Sequence, residues 1–314
     1  MLVFVIRRCA QAIPTLIGVS IVVFLLVRAI PGNAADVLLG PQATSEQTAA
    51  LTSQMGLDRP IWVQYGIWIE DVVRGNLGRS WINDFPVSTL VWRNLVATMQ
   101  LALVSLALAL LIAFPIGIVG ALRPGGVLGR ATRAYTILAI GIPSFWLGIL
   151  LVLLVSLRLQ WLPPSGYVAP TADFWQWLKL ISLPAITLAV YVSAVLARFI
   201  QASILETLGN DYVRTAKAKG LAPRAVLIGH VMRNALLPIV TMIGLQAGGL
   251  LGGAVVVESI FAWPGIGRLL VSSIETRDYL VVQAIILIGA TLFLLINLIT
   301  DVLYGVLDPR IRAR

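Results

Sequence analysis

The chain has 314 residues, of which 59% are hydrophobic and only 12% are charged, and its net charge is +9. A soluble domain carries about 25% charged residues, so the composition predicts an integral membrane protein, in which positive charge belongs to loops and not to a nucleic-acid-binding surface. The single cysteine, Cys9, excludes an internal disulfide. The single histidine, His230, leaves too few ligands for a zinc site and is interpreted as a packing or capping residue.

Six apolar segments are predicted to cross a membrane as helices. They lie at about residues 13–27, 96–122, 135–157, 183–204, 236–257 and 280–303. The first follows two arginines and could be mistaken for a signal peptide, but its apolar run is long and further spans follow, so it is interpreted as an uncleaved helix. Pro115 and Pro143 are expected to kink the second and third helices. The predicted fold class is an all-α polytopic membrane protein with six transmembrane helices, in a single domain over residues 1–314.

A long polar region, residues 31–95, separates the first two spans and is predicted to form a small lobe. It carries several acidic residues, turn signals and recurring tryptophans. Tryptophan is typical of the membrane–water interface, and anchoring there is one interpretation of these side chains. The other is a docking surface for a second protein, with Glu70, Asp71 and Trp81 as candidate contacts.

The distribution of cations predicts the orientation in the membrane. If the N-terminus lies in the cytoplasm, the cytoplasmic segments hold 14 of the 23 Lys and Arg residues in far fewer positions than the outer segments. By the positive-inside rule both termini are then cytoplasmic, and the lobe of residues 31–95 is extracytoplasmic.

The most basic stretch, residues 211–227, reads DYVRTAKAKGLAPRAVL and lies on the cytoplasmic side of this topology. Asn210 or Asp211 is expected to cap a first helix over residues 212–219. Gly220 is expected to end that helix in a left-handed conformation, and Pro223 to begin a second helix that runs into the fifth span. The segment 205–235 is then either a basic loop touching anionic lipid or a docking element whose small alanines, at 216 and 218, allow a partner to approach closely.

This stretch resembles the cytoplasmic "EAA" loop of ABC importer permeases. Arg214-Thr215-Ala216 followed by Gly220 occupies the frame of that motif, although Arg214 replaces its glutamate and Thr215 its first alanine. The proline usual downstream is missing at Arg233. These departures are similar to the dipeptide, oligopeptide, glutathione and nickel branch of the family. Further stretches similar to that branch are Ile30-Pro31-Gly32, Gly56-Leu57-Asp58-Arg59-Pro60, Phe261-Ala262-Trp263-Pro264-Gly265-Ile266-Gly267-Arg268, Arg277-Asp278-Tyr279 and Asp308-Pro309-Arg310-Ile311-Arg312.

The resemblance implies the permease subunit of a bacterial inner-membrane importer with peptides as substrate, or alternatively glutathione, nickel chelates or another small solute. It implies a second homologous permease, two cytoplasmic ATPase subunits, an extracytoplasmic substrate-binding protein and surrounding lipid as partners. It also implies that ATP and Mg²⁺ are bound by the ATPases and that this chain is non-catalytic and has no cofactor. The ATPase-coupling residues would be Tyr212, Arg214, Thr215, Ala216, Lys217, Lys219 and Gly220.

The residues themselves also indicate that ATP is hydrolysed by a separate subunit, because no lysine in the chain follows a glycine as a phosphate-binding loop requires. A secondary transporter is disfavoured because the predicted spans are nearly free of charged residues. An intramembrane enzyme is disfavoured because no catalytic constellation is present.

The fifth span carries glycines four residues apart, a spacing that permits close helix packing. Such glycines either pack the bundle or line the translocation path between two permeases. Gln246, Gly248 and Gly252 are the candidates for the path. The side chain of Asn297 is interpreted as forming a hydrogen bond between helices.

Overall fold

A computed structural model describes residues 2–29, 39–40, 43–54 and 56–307, and its regular structure over these residues is helical. The motifs at residues 30–32 and 308–312, and part of the predicted lobe, lie outside the described residues. The helices are α1 (Leu2–Ala29), α2 (Ser45–Gln54), α3 (Ile61–Val73), α4 (Val87–Leu122), α5 (Val127–Gly141), α6 (Ser144–Leu151), α7 (Phe174–Leu208), α8 (Asp211–Ala218), α9 (Pro223–Val226), α10 (Arg233–Ile260), α11 (Ile266–Glu275) and α12 (Tyr279–Leu307). A π-helical segment, Val152–Arg158, extends α6, and another, Leu227–Met232, joins α9 to α10.

Within the described part of the chain, five continuous helical stretches are long and apolar enough to cross a membrane: Ile6–Ala29, Val87–Leu122, Phe174–Leu208, Pro223–Ile260 and Tyr279–Gly305. The third predicted span is not one helix, because α5 and the stretch Ser144–Arg158 meet at an angle of 100°. Counted as one broken span, this pair completes the six-span fold that the sequence predicts.

The expected kink at Pro143 is therefore a full break of the third span. Proline lacks an N–H and pushes the residue before it out of the α region, and Ile142 accordingly has φ −85° and ψ 120°. Pro115, Pro184 and Pro238 lie inside helices that continue past them. Proline alone thus does not decide where a span breaks.

The centre of the bundle is α7, in which 72% of the most apolar window is buried, against 22–33% for the other four continuous spans. It packs closely on α4 because Gly117 faces it without a side chain. A Cβ on Gly117 would lie 2.7 Å from the Ile200 Cγ2 atom and 2.8 Å from the Ala197 carbonyl oxygen. The remaining spans keep much of their apolar surface exposed, which suits lipid or another membrane subunit.

The second span begins earlier than predicted, so residues 87–95, assigned above to the lobe, belong to α4. The reason is an apolar stripe at helical spacing: Val87, Val91 and Leu95 are buried and pack against Val281 and Ile285 of α12. Polar residues such as Arg93 and Asn94 lie between them and interrupt the apolar run.

The described part of the lobe packs on the end of α1. Tyr65 and Trp68 of α3 lie 5.3 and 5.6 Å, ring to ring, from the buried Phe24. The Ser20 and Tyr65 hydroxyls are hydrogen-bonded at 2.9 Å, and Arg28 Nε donates to Gln64 Oε1 at 2.8 Å. The tryptophan at 68 therefore has a packing role within the chain.

Candidate functional site: a basic helical segment and a cavity at the broken span

The basic segment folds as a helix, a glycine corner and a second helix, as the sequence predicts. Helix α8 ends at Ala218, Gly220 has φ +76°, and Pro223 is the first residue of α9. The predicted side-chain cap is absent, because Asn210 occupies the N-cap position but makes no capping hydrogen bond. Asp211 lies in the first turn instead, where its negative charge favours the helix N-terminus.

Helix α8 has one face buried in its own chain and one exposed cationic face. Val213 and Ala216 are buried against the bundle core, whereas Arg214, Lys217 and Lys219 are exposed. The expectation that Ala216 lies under a partner's surface is therefore wrong, since this small residue lets α8 pack on its own bundle; Ala218 is exposed. The cationic face lies on the side of α8 away from the bundle core.

Hydrogen bonds tie this segment to the membrane helices. Tyr212, exposed by 41%, accepts a hydrogen bond from Asn234 Nδ2 of α10 at 2.8 Å. Ser203 of α7 donates to the Ala235 carbonyl oxygen at 3.0 Å. Thr215 is exposed and turns its hydroxyl back to the Asp211 carbonyl oxygen of its own helix. Helix α8 is thus hydrogen-bonded to α10, and α10 is in turn hydrogen-bonded to α7.

His230 lies in the π-helical segment between α9 and α10 and is partly buried. Its carbonyl oxygen accepts from Asn234 Nδ2 at 3.1 Å. Within the described ranges, no three His, Cys, Asp or Glu side chains are grouped as metal ligands.

A cavity of about 430 Å³ lies where the broken third span meets α7 and α10. Ile142, Pro143 and Ser144 line it from the break, Tyr191 from α7 and Gln246 from α10. The remaining walls are apolar side chains and glycines, so the lining contains neutral hydrogen-bonding groups and no charged ones.

Of the three path residues predicted from the sequence, only Gln246 lines this cavity. Gly248 packs on α12 instead, and a Cβ there would lie 2.8 Å from Phe293 Cε2. Gly252 is exposed, and a Cβ there would meet nothing within 4 Å. The glycines that do line the cavity are Gly249 and Gly253. Gly248 thus allows α10 to pack closely on α12, whereas Gly249 and Gly253 leave open space in the cavity on another face of the same helix.

Sequence reasoning missed Ser144 and Tyr191. Ser144 directly follows Pro143, and Tyr191 is the sole tyrosine within the predicted fourth span. Their polarity is the signal that could have identified them, because a polar side chain inside a span is costly in lipid and usually faces the protein interior or a cavity.

The three predicted docking residues of the lobe have partners within the chain. Glu70 pairs with Arg74 at 2.5 Å, and Asp71 accepts a long hydrogen bond, 3.4 Å, from Asn76 Nδ2. Trp81 is partly buried and packs edge-on against Tyr279, with ring centroids 5.8 Å apart. Glu70 remains exposed on α3, whereas the ring of Trp81 contributes to the attachment of the lobe to α12.

A buried carboxylate, Glu258, lies one residue beyond the predicted end of the fifth span and holds three helices together. It lies in the last turn of α10 and is fully buried. Its Oε1 accepts from the Thr98 hydroxyl of α4 at 2.6 Å, and its Oε2 accepts from the Arg268 backbone N–H of α11 at 3.0 Å. Thr98 in turn accepts from the Ile266 N–H at 2.8 Å. The carboxylate therefore caps α11 from a different helix.

Close contacts explain why the stretch 261–268 contains two glycines and a tryptophan. A Cβ on Gly265 would lie 2.0 Å from Glu258 Oε1, and one on Gly267 would lie 2.7 Å from the Val255 Cα. Trp263 is fully buried and donates from Nε1 to the Ala97 carbonyl oxygen at 2.8 Å. Both glycines and the tryptophan thus serve the close approach of α11 to α4 and α10.

The chain is similar to known proteins both in sequence and in fold. The family described as "Binding-protein-dependent transport system inner membrane component" matches residues 113–313, and its N-terminal counterpart matches residues 1–104. The glutathione transport system permease protein GsiC of Escherichia coli (strain K12) is 42% identical over 314 residues, covering 100% of both chains. The dipeptide transport system permease protein DppB of Alkalihalophilus pseudofirmus is 38% identical over 332 residues, covering 99% of this chain and 100% of that protein.

Solved structures with a similar fold include the inward-facing MetNI methionine ABC transporter. The match has a TM-score of 0.57 and 17% identity, and covers 71% of this chain and 98% of that chain. An amino acid ABC transporter matches with a TM-score of 0.50 and 17% identity, covering 71% and 94%. At this identity the likeness concerns the fold alone.

Proposed function

The chain belongs to the family of binding-protein-dependent transport system inner membrane components, the permeases of ABC importers, and on that premise we propose that it forms half of a translocation path for peptides. Di- and oligopeptides are the first candidate substrates, in line with the 38% identity to DppB. Glutathione, itself a small peptide, is the second, in line with the 42% identity to GsiC. Nickel chelates and other small solutes are the remaining alternatives.

The observation that carries the coupling role is the two-sided character of α8. Its buried face fixes it to the bundle, and its exposed Arg214 and Lys217, with Lys219 directly after the helix, offer charge to a protein surface. We assign this surface to a cytoplasmic ATPase subunit, one of two that bind ATP and Mg²⁺. Both termini of the chain then lie in the cytoplasm of a bacterial cell, and the lobe faces an extracytoplasmic binding protein.

The path itself is assigned to the cavity at the broken third span. Non-helical backbone at membrane depth is tolerated where it lines a water-filled cavity, and Ile142 provides it here. The hydroxyls of Ser144 and Tyr191 and the amide of Gln246 are neutral donors and acceptors, which suit the peptide groups of a substrate. A second permease supplies the opposite wall in this arrangement.

The test is uptake of labelled peptide into liposomes that contain this permease with its ATPases, its second permease and its binding protein. Uptake must require ATP inside and must persist when ionophores collapse the ion gradients. Transport that follows an ion gradient without ATP overturns the importer mechanism. Competition by dipeptides, glutathione and nickel chelates then decides the substrate class.

Two variants test the assignment of the path to the cavity. Gln246→Leu removes one amide from the cavity, and a lost neutral hydrogen bond is worth about 0.5–1.5 kcal/mol, so uptake at subsaturating substrate is expected to fall about 2- to 10-fold. Gly252→Ala on the same helix, where a Cβ meets nothing within 4 Å, is the control. Equal uptake by both variants places the path elsewhere.

A further inference from the structure

A second groove, of about 380 Å³, lies on the outer surface of the bundle between α1 and α12. The two helices run antiparallel, and residues 8–16 of α1 face residues 291–301 of α12 across it. Both helices are peripheral, and Ile13 and Leu295 in the groove remain 56% and 46% exposed. The groove is therefore open to whatever surrounds the protein in the membrane.

The groove is polar at one end and apolar at the other. At the polar end Arg8 Nε pairs with Asp301 Oδ2 at 3.2 Å, and the side chains remain 46% and 33% exposed. Gln11 and Asn297 lie one turn further in. Towards the other end the walls are Ile13, Leu16, Leu294 and Leu295, with Thr291 at the limit.

The position of the ion pair matches the depth of lipid headgroups. Arg8 lies two residues inside the start of the apolar stretch Ile6–Ala29, and Asp301 lies four residues inside the end of Tyr279–Gly305, which is about 3–6 Å along a helix with a rise of 1.5 Å per residue. The apolar end of the groove then runs about 12 Å deeper, from position 8 to position 16. A phospholipid has the same order, with a charged head at the surface and an acyl chain below.

We propose that this groove binds one phospholipid with a zwitterionic amine headgroup, of the phosphatidylethanolamine type. A guanidinium is suited to a phosphate, since both can form paired hydrogen bonds, and the Asp301 carboxylate is suited to a primary ammonium. The exposed Arg8–Asp301 pair presents both charges side by side and so matches both charges of that headgroup. An ion pair removed from water also gains from additional hydrogen-bonding partners, which the headgroup supplies.

The native Cys9 makes the occupancy measurable, since it lines the groove, is exposed and is the only cysteine of the chain. The experiment follows the rate at which N-ethylmaleimide alkylates Cys9 in the delipidated, assembled transporter, read by peptide mass spectrometry. Phosphatidylethanolamine, phosphatidylcholine and phosphatidylglycerol with identical acyl chains are titrated in turn, and native mass spectrometry counts the bound lipid.

Phosphatidylethanolamine is expected to protect Cys9 at the lowest concentration. The choline headgroup has no N–H to donate to Asp301, and the glycerol headgroup has no cation. Arg8→Gln and Asp301→Asn are each expected to raise the half-protecting concentration about 10-fold, equivalent to about 1.4 kcal/mol. Ala12→Phe keeps the ion pair but fills the groove, and is expected to abolish protection. Arg7→Gln, on a neighbouring exposed arginine that does not line the groove, is the matched control and is expected to behave as wild type.

Three results overturn the proposal. In the first, no lipid slows alkylation. In the second, all three lipids protect equally and Asp301→Asn changes nothing, so the headgroup is not recognised. In the third, Cys9 stays unreactive after delipidation, which means that a protein subunit covers the groove. Because none of these measurements involves the transported solute, their failure is distinct from failure of the proposed transport function.

Discussion

Replacing Gly220 tests whether the corner after α8 is needed for coupling. Gly220 has φ +76°, and a Cβ there would meet nothing within 4 Å, so a substitution is opposed by backbone conformation and not by crowding. The left-handed conformation costs an ordinary residue about 1–2 kcal/mol and is easier for asparagine. If α8 needs this corner to hold the ATPase, Gly220→Ala should reduce the competent population by about 5- to 30-fold, Gly220→Val by more, and Gly220→Asn by least.

The assay is ATP-driven uptake in proteoliposomes, with co-purification of the ATPases as a second readout. Insertion of the permease should be unchanged. Gly229→Ala is the control, because Gly229 lies in the same segment, has no positive φ, and a Cβ there meets nothing within 4 Å. Full transport by Gly220→Val would falsify the coupling role of the corner. An equal loss in the Asn and Val variants would show that the effect does not come from the left-handed backbone.

Three further predictions concern topology, docking and stability. In a Cys9→Ser background, a cysteine at Asn83 should react with an impermeant thiol reagent from outside and one at Lys217 only from the cytoplasm; the reverse pattern overturns the orientation. The double variant Glu70→Lys, Asp71→Lys should slow binding-protein-stimulated ATP hydrolysis, and more at low than at high salt, because exposed charges act on the association rate. Basal hydrolysis should persist. An unchanged response at every binding-protein concentration removes this pair from the docking surface. Gly265→Ala should lower the stability of the purified transporter by about 1–3 kcal/mol, since the added Cβ would lie 2.0 Å from Glu258 Oε1. Gly252→Ala, where a Cβ meets nothing within 4 Å, should leave the stability unchanged. Equal melting temperatures would mean that the buried carboxylate can move aside without loss of stability.

The sequence could predict those features that depend on the lipid environment or on the backbone preferences of single residues. In lipid the backbone must satisfy its own hydrogen bonds, so apolar stretches of sufficient length become helices, and the six-span fold follows from composition. The corner at Gly220 and the helix start at Pro223 depend on the backbone preferences of single residues. The family-like stretches were recognisable for a related reason, since each is a continuous run of residues.

Tertiary structure decided which neighbour each residue meets. Gly248 packs on Phe293 while Gly249 and Gly253 line the cavity, and the spacing of glycines cannot tell the two faces of one helix apart. Glu258 finds its partner in Thr98, 160 positions away in the chain, so its burial had no local signal. Pro143 breaks its span while Pro115 is accommodated within α4, because the same missing N–H is tolerated or not according to the helices packed around it. The sequence therefore determines the membrane helices and the form of the corner at Gly220, whereas the cavity at the broken span, the buried carboxylate and the groove between α1 and α12 arise only when distant helices come together.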